Sequence, residues 1–196
     1  MKAKIFNEKY ETKVKKKPIK NKRFVDIRWI ITVTTLAFFI SIIFSFFSEI
    51  ITSNANSIIA TIIILVFIGL GIVFDMVGVS ITVADIKTFN SMATKQVRGA
   101  RLAVKLIQNN EKASSFCNDV IGDICGIVSG SAGVALASIV AKNLYINIFL
   151  PTLIITAIIA ALTIGGKAIG KATAINKSTT ILFKFSKTLS YFYGEK

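Results

Sequence analysis

Four long apolar stretches constrain this chain more than any other feature of it. They cover roughly Ile30–Ile51, Ser57–Val79, Ala113–Val140 and Ile148–Ile164. Each stretch reaches or approaches the ~20 residues that a helix needs to cross a bilayer. Hydrophobic residues make up 53% of the chain, which is more than an ordinary soluble domain carries. The sequence therefore predicts an all-α integral membrane protein with about four transmembrane helices.

The basic residues are grouped in a way that predicts the orientation of these helices. Of the Lys and Arg residues, eleven lie in Met1–Arg28, six in Lys87–Lys112 and six in Lys167–Lys196. The two connections that alternate with these groups, 52–56 and 142–147, carry only one between them. Under the positive-inside rule, both termini and the central connection are cytoplasmic. We expect a multi-pass protein of the cell inner (plasma) membrane, with the anionic inner leaflet of the lipid bilayer as a partner.

Composition also predicts how the chain is divided. A basic cytoplasmic N-terminal segment covers 1–28, a membrane domain 29–166, and a basic amphipathic C-terminal segment 167–196. Residues 84–111, between the second and third spans, are not apolar enough to cross a bilayer. Their apolar residues recur at spacings of three and four on both sides of Gly99, which predicts a cytoplasmic amphipathic helical hairpin. The C-terminal segment carries a similar apolar stripe, made of Leu182, Phe185, Leu189 and Phe192. We expect that stripe to form a second helix at the membrane surface.

Three aspartates lie inside the apolar stretches, Asp75 in the second and Asp119 and Asp123 in the third. Carboxylates within a membrane are costly and are usually functional. The same stretches contain no Lys, Arg or His that could neutralise them. The second helix runs inward and the third outward, so the helical rise places all three carboxylates at a similar depth in the inner leaflet. Three such carboxylates without a cationic partner predict a bound cation.

Neighbouring polar side chains complete the predicted site. The expected metal ligands are Asp75, Ser80, Asn118, Asp119 and Asp123. A set made only of carboxylate, amide and hydroxyl oxygens suits hard cations such as Mg²⁺, Ca²⁺, Mn²⁺ or Na⁺. The alternative is that Asp119 and Asp123 are protonated and form structural hydrogen bonds between helices, since apolar surroundings favour the neutral carboxyl group.

The third span has glycines at a regular spacing. Gly122, Gly126 and Gly130 recur every four residues, and small residues at this spacing let helix backbones approach closely in lipid. We expect the third span to be the most buried helix, packed on another span or on a second copy of the chain. A homodimer through these glycines is the expected assembly.

The segment around these residues resembles the transmembrane domain of the CorB/CNNM magnesium-transport family. The run SITVADIKTFNSMATKQVRGARLAVKLIQNNEKASSFCNDVIGDICGI carries the likeness, which extends over about Val73–Val140. Gly99-Ala100-Arg101 resembles the start of that family's cytoplasmic hairpin. Ser80 stands near the serine of its "SET"-like segment, and Asn118 with Gly122-Asp123 stands near its "GN" motif. The resemblance implies a dimer that binds Mg²⁺ in an acidic cavity open to the cytoplasm.

The expected function is therefore divalent cation transport, with Mg²⁺ as the cation. The first alternative is a non-transporting membrane scaffold or accessory subunit with protonated structural aspartates. A minor alternative is an intramembrane aspartyl protease that uses Asp75 and Asp123 as its catalytic pair. The chain has no His and no visible pairing of a nucleophile with a base, so we expect no other enzyme chemistry. We also expect no nucleic-acid partner, because no aromatic-interleaved basic motif is present.

Overall fold

A computed structural model describes residues 27–53 and 56–193, and the predicted basic segment 1–28 lies almost wholly outside them. All regular structure in the described residues is helical. The elements are α1 (Ile27–Ser53), α2 (Ser57–Val83), α3 (Ile86–Thr94), α4 (Ala100–Gln108), α5 (Asn110–Ser115), a π-helix (Phe116–Gly122), α6 (Asp123–Leu144), α7 (Phe149–Asn176) and α8 (Ser178–Tyr193). The chain divides into two compact units, Met1–Thr32 and Val33–Lys196, and the helix bundle belongs to the second.

Four helical segments are long and apolar enough to cross a membrane. They are Ile27–Ile50, Ser57–Val83, Asn110–Leu144 and Phe149–Asn176. The third combines α5, the π-helix and α6. The all-helical class and the number of candidate transmembrane helices are confirmed. The fourth of these segments is longer than predicted, because α7 continues through Gly166 to Asn176. The predicted boundary at residue 166 therefore falls inside a helix.

Helix α2 lies at the centre of the bundle and packs against the π-helix, α6, α7 and α8. Its buried residues recur every three or four positions and so form one face. In order along that face they are Ala60, Ile64, Ile68, Gly71, Asp75 and Gly78. An aspartate thus occupies a position that the periodicity of α2 assigns to the core.

Small residues bring α7 close to its neighbours. The Ile159 side chain fills the space beside Gly133 of α6, where a Cβ would overlap it. The Ile72 side chain of α2 lies against Gly166 in the same way, and Met76 of α2 lies against Gly170. Because these glycines have no side chain, the backbone of α7 lies directly against α2.

Helix α1 packs at the edge of the bundle through one stripe of side chains. Val33, Ala37, Ile40 and Phe44 lie against a small core around Val120 and Ile124. The Phe44 ring also meets the Phe67 ring of α2 edge to face, with centroids 6.0 Å apart. Most of its other large apolar side chains are exposed, as expected for a helix that faces lipid.

Helices α3 and α4 pack on each other, and α4 also packs against α8, at one end of the bundle. The turn between them contains Gly99, whose φ of 84° favours glycine. A Cβ at Gly99 would stand 2.8 Å from the Lys187 backbone, so glycine also permits the close approach of α8. The Arg98 guanidinium lies 4.0 Å from the centre of the Tyr191 ring and adds a cation–π contact.

The predicted C-terminal amphipathic helix forms, and part of its apolar stripe packs into the protein core. Leu182 is fully buried in a core with Val77, Ile81 and Phe89. The Phe185 ring meets the Phe74 ring edge to face, with centroids 6.4 Å apart. The end of α2 offers an apolar surface to α8, and burying both surfaces together removes them from other surroundings.

Candidate cation site

The buried face of α2 directs Asp75 toward the π-helix and the start of α6. Asp75 is 3% exposed and lies on that face between Gly71 and Gly78. The Gly122 carbonyl oxygen stands 3.2 Å from where a Cβ of Gly71 would lie. One turn beyond Asp75, a Cβ at Gly78 would overlap the Asn118 amide. Asp75 is therefore flanked on both sides by contacts between α2 and the segment 118–122.

Two oxygen atoms at this contact are buried without a hydrogen-bond partner among the described residues. They are Oδ2 of Asp75 and Oδ1 of Asn118. Leaving a buried polar group unsatisfied costs roughly 1–3 kcal/mol, and more when the group is charged. Both atoms are acceptors, so a hydrogen-bond donor or a cation would satisfy them.

Adjacent polar residues of the π-helix face different surroundings, because successive side chains of a helix point in different directions. Segments of π-helix occur mainly as single turns within α-helices, frequently at functional sites. Asn118 points at α2, whereas its neighbour Asp119 is exposed and accepts a hydrogen bond of 2.5 Å from the Ser115 hydroxyl. The predicted grouping of Asn118 with Asp119 is thus divided between two sides of the helix.

Two lysines of α7 pair with two of the three carboxylates. Lys171 Nζ lies 3.6 Å from Asp75 Oδ2, and Lys167 Nζ donates to Asp123 Oδ1 at 2.9 Å. The expectation that these carboxylates have no cationic partner is therefore wrong. It failed because α7 stays helical beyond Gly166, where the basic composition had indicated the end of the span.

A short sequence pattern could have revealed these pairs. Gly166-Lys167 and Gly170-Lys171 repeat the same dipeptide at a spacing of four. The glycines lie against Ile72 and Met76 of α2, so each following lysine is held near the α2 surface. Glycine and lysine repeated together at one helical turn indicate a close helix contact with a charge beside it.

The remaining predicted ligands do not gather around Asp75. Ser80 is fully buried on α2, and its hydroxyl donates to the Met76 carbonyl oxygen at 2.8 Å. Asp119 and Asp123 are both exposed. Within residues 27–53 and 56–193, no group of three or more His, Cys, Asp or Glu residues is placed to hold a metal ion. Of the five, only Asp75 and Asn118 lie at the contact between α2 and the π-helix.

The glycines of the third span differ in what they contact. This span is the most buried of the four, with half of its most apolar window buried against 22% for the next, as predicted. Gly122 lies against Gly71 of α2. Gly126 and Gly130 have no atom of another helix within 4 Å of an added Cβ, so they make no close helix contact within the described chain.

Comparison of the chain with protein-family models, with curated proteins and with solved structures finds no match. The chemistry of the site is therefore argued from its own groups. It presents one buried carboxylate, one buried amide oxygen and a lysine ammonium that approaches from the side of α7. Each of the two oxygens can accept a hydrogen-bond donor or bind a cation.

Proposed function

We propose that this chain is a multi-pass membrane protein that binds a hard cation of the Mg²⁺ type between α2 and the π-helix, and transports it. The observation that carries the proposal is the pair of buried, unsatisfied oxygens on Asp75 and Asn118. Proteins usually bind Mg²⁺ through only one or two carboxylates together with waters and other oxygens. One buried carboxylate beside an amide oxygen therefore suffices. The likeness to the CorB/CNNM transmembrane domain supports Mg²⁺ as the cation.

The proposed ligand set is smaller than the five residues that the sequence indicated. Asp75 and Asn118 are the direct ligands, and Ser80 lies on α2 toward the same end of the bundle. Asp119 and Asp123 are exposed, and in this proposal they do not coordinate the cation.

The proposed topology places the site near the inner boundary of the hydrocarbon core. Asp75 stands about 27 Å along α2 from Ser57, and the hydrocarbon core is about 30 Å thick. The basic residues of α3, α4 and α8 would then meet the anionic inner leaflet, with both chain termini in the cytoplasm. The hairpin 84–111 is cytoplasmic in this proposal.

The two alternatives make different demands on the aspartates. A scaffold needs only structural ion pairs, and the Asp75–Lys171 and Asp123–Lys167 pairs favour it as the second candidate. A protease needs two carboxylates that share one proton around a water. Here Asp75 and Asp123 each have a lysine of their own, so the geometry does not favour that chemistry.

A thermal-melting titration of the full chain in detergent tests the proposal. Mg²⁺, Mn²⁺, Ca²⁺ and Na⁺ are added separately, and a bound cation at 100 times its Kd stabilises the fold by about 2.7 kcal/mol. We expect Asp75→Asn to abolish the shift and Asp123→Asn, the matched control, to retain it. If no cation moves the melting curve of the wild type or of a variant without the Lys171 charge, the protein is better explained as a scaffold.

We also propose that two copies of the chain meet along the exposed face of α6. Gly126 and Gly130 are open on that face, and the neighbouring Ile127 is 62% exposed. Small residues on such a face permit close helix contact in lipid. Gly126→Leu should shift the protein from dimer to monomer in light scattering, while Gly69→Leu, at another open glycine, should not. An unchanged dimer would place the interface elsewhere.

A further inference from the structure

The Lys171 side chain reaches Asp75 from a much more solvated position. The carboxylate side chain is 5% exposed, whereas the lysine side chain is 52% exposed. Their atoms stand 3.6 Å apart, and Asp75 Oδ2 accepts no hydrogen bond from any described residue. Lys171 makes no hydrogen bond to Asp75 Oδ2, and its side chain is already half exposed to solvent. Its ammonium therefore loses little interaction energy when it moves away from the carboxylate.

The neighbouring pair provides the contrast within the same helix. Lys167 is only 19% exposed and donates a hydrogen bond of 2.9 Å to Asp123. Its ammonium also stands 3.8 Å from where a Cβ of Gly122 would lie, so it rests against the π-helix. Lys167 is thus fixed at the helix contact, whereas Lys171 is not.

We propose that Lys171 is a tethered competitor that occupies Asp75 when no cation is bound and leaves when a cation enters. This inference rests on the proposed function. One buried carboxylate cannot hold an ammonium and a divalent cation together, because two positive charges within about 4 Å repel strongly in a medium of low polarity. The cation and Lys171 therefore exclude each other.

The exchange gives the site two consequences. The cation-free protein keeps its buried carboxylate paired, which lowers the cost of burying that charge. The apparent Kd for the cation equals the intrinsic Kd divided by the fraction of molecules in which Lys171 has left the carboxylate, so Lys171 sets the concentration at which the site fills. Lys171 is in this sense a residue that determines affinity without binding the cation.

The first test compares neutral variants of the two lysines. Lys171→Met keeps the length of the side chain and removes its charge, and should lower the Kd for Mg²⁺ about tenfold or more. Lys167→Met removes the same charge one turn away and controls for general attraction, so it should lower the Kd by no more than about threefold. Equal effects of the two variants, or weaker binding by Lys171→Met, would overturn the inference. The double variant Lys171→Met with Asp75→Asn should bind nothing.

The second test follows the lysine itself. The rate at which an amine-acylating reagent modifies Lys171 is measured by mass spectrometry on the full chain, with Lys177 as the exposed internal control. Acylation of Lys171 should become faster in Asp75→Asn, and faster in the wild type when Mg²⁺ is added. Acylation of Lys177 should not change.

The two readouts separate failure of the inference from failure of the proposed function. If Mg²⁺ raises the melting temperature through Asp75 but leaves acylation of Lys171 unchanged, the cation site stands and the competitor is wrong. If Mg²⁺ raises the melting temperature of Lys171→Met but not that of the wild type, Lys171 competes strongly with the cation for Asp75. If neither the wild type nor Lys171→Met responds to any of the four cations, both the cation site and the competitor are wrong.

Discussion

The two lysine–aspartate pairs of α7 are built in opposite ways. In the Asp75–Lys171 pair the carboxylate is buried and the lysine is half exposed, while in the Asp123–Lys167 pair the lysine is the more buried partner. The exposed carboxylate has a short hydrogen bond to its lysine, and the buried one does not. The buried carboxylate, whose charge is least stabilised by solvent, thus has the longer contact with its lysine.

This difference separates a structural role from a functional one. An exposed aspartate that accepts a hydrogen bond from a well-packed lysine ties α6 to α7 and requires nothing more. A buried aspartate with an unsatisfied oxygen, beside a second unsatisfied oxygen on Asn118, has capacity left for a ligand. Site chemistry is expected where local geometry is incompletely satisfied, because the protein pays for that state with stability.

The largest effect is expected from a substitution that displaces the Asn118 amide from α2. Gly78→Ala introduces a Cβ that overlaps the Asn118 amide, and we expect a loss of about 1–3 kcal/mol in unfolding free energy together with the Mg²⁺ response. Gly69→Ala is the matched control on the same helix, because nothing lies within 4 Å of its added Cβ. It should be neutral or stabilise by up to about 1 kcal/mol through helix propensity. Chemical denaturation of both variants gives the two values.

An equal loss in the two glycine variants would mean that Asn118 is not held against α2. The buried pair would then be no more constrained than the exposed one, and the comparison would lose its basis.

A smaller effect is expected on the stability of the cation-free protein, and it differs between the two lysine–aspartate pairs. In chelator, Lys171→Met leaves the buried Asp75 carboxylate unpaired and should lower the unfolding free energy by about 1–2 kcal/mol. Lys167→Met removes a partner from an exposed carboxylate and should cost about 0.2–1 kcal/mol. Added Mg²⁺ should restore the first variant and leave the second unchanged. A larger loss in Lys167→Met would reverse the assignment of the structural and the functional pair.

The smallest expected effect lies outside the bundle core, at the start of α3. The Lys87 backbone N–H donates to the exposed Asp85 carboxylate and lowers its pKa from the ordinary value of 3.8. Because the folded pKa lies below the unfolded one, the stabilisation is present above the unfolded pKa and is lost as pH falls through the folded pKa. Asp85→Asn should therefore melt slightly below the wild type at about pH 6, and the gap should narrow as the pH falls below 3.8. A gap that persists at the lower pH would show that the charge of Asp85 is not its source.

Sequence reasoning succeeded where one-dimensional patterns decide the outcome. The four apolar helices follow from the length and the periodicity of apolar residues, and α3 and α4 follow from the amphipathic spacing on both sides of Gly99. The approach of the third span to Asp75 was also expected, and Asn118 of that span meets Gly78, one turn from Asp75.

Sequence reasoning failed where a contact between distant helices decides the outcome. Composition indicated that the membrane domain ends at Gly166, but the helix continues and carries Lys167 and Lys171 back to the carboxylates. The π-helix is not visible in residue spacing, and neither is the packing that turns Asn118 toward α2 and leaves Asp119 exposed. The apolar stripe of α8 predicted a helix, but it did not predict that Leu182 of this helix packs into the protein core.

The most direct test of the cation site is the anomalous scattering of Mn²⁺ in crystals of the full chain. We expect one strong peak between Asp75 and Asn118, with the Lys171 ammonium moved away from Asp75. Crystals of Asp75→Asn should lack the peak. A peak located only at the exposed Asp119 and Asp123, or no peak with Lys171 still beside Asp75, would contradict the central claim.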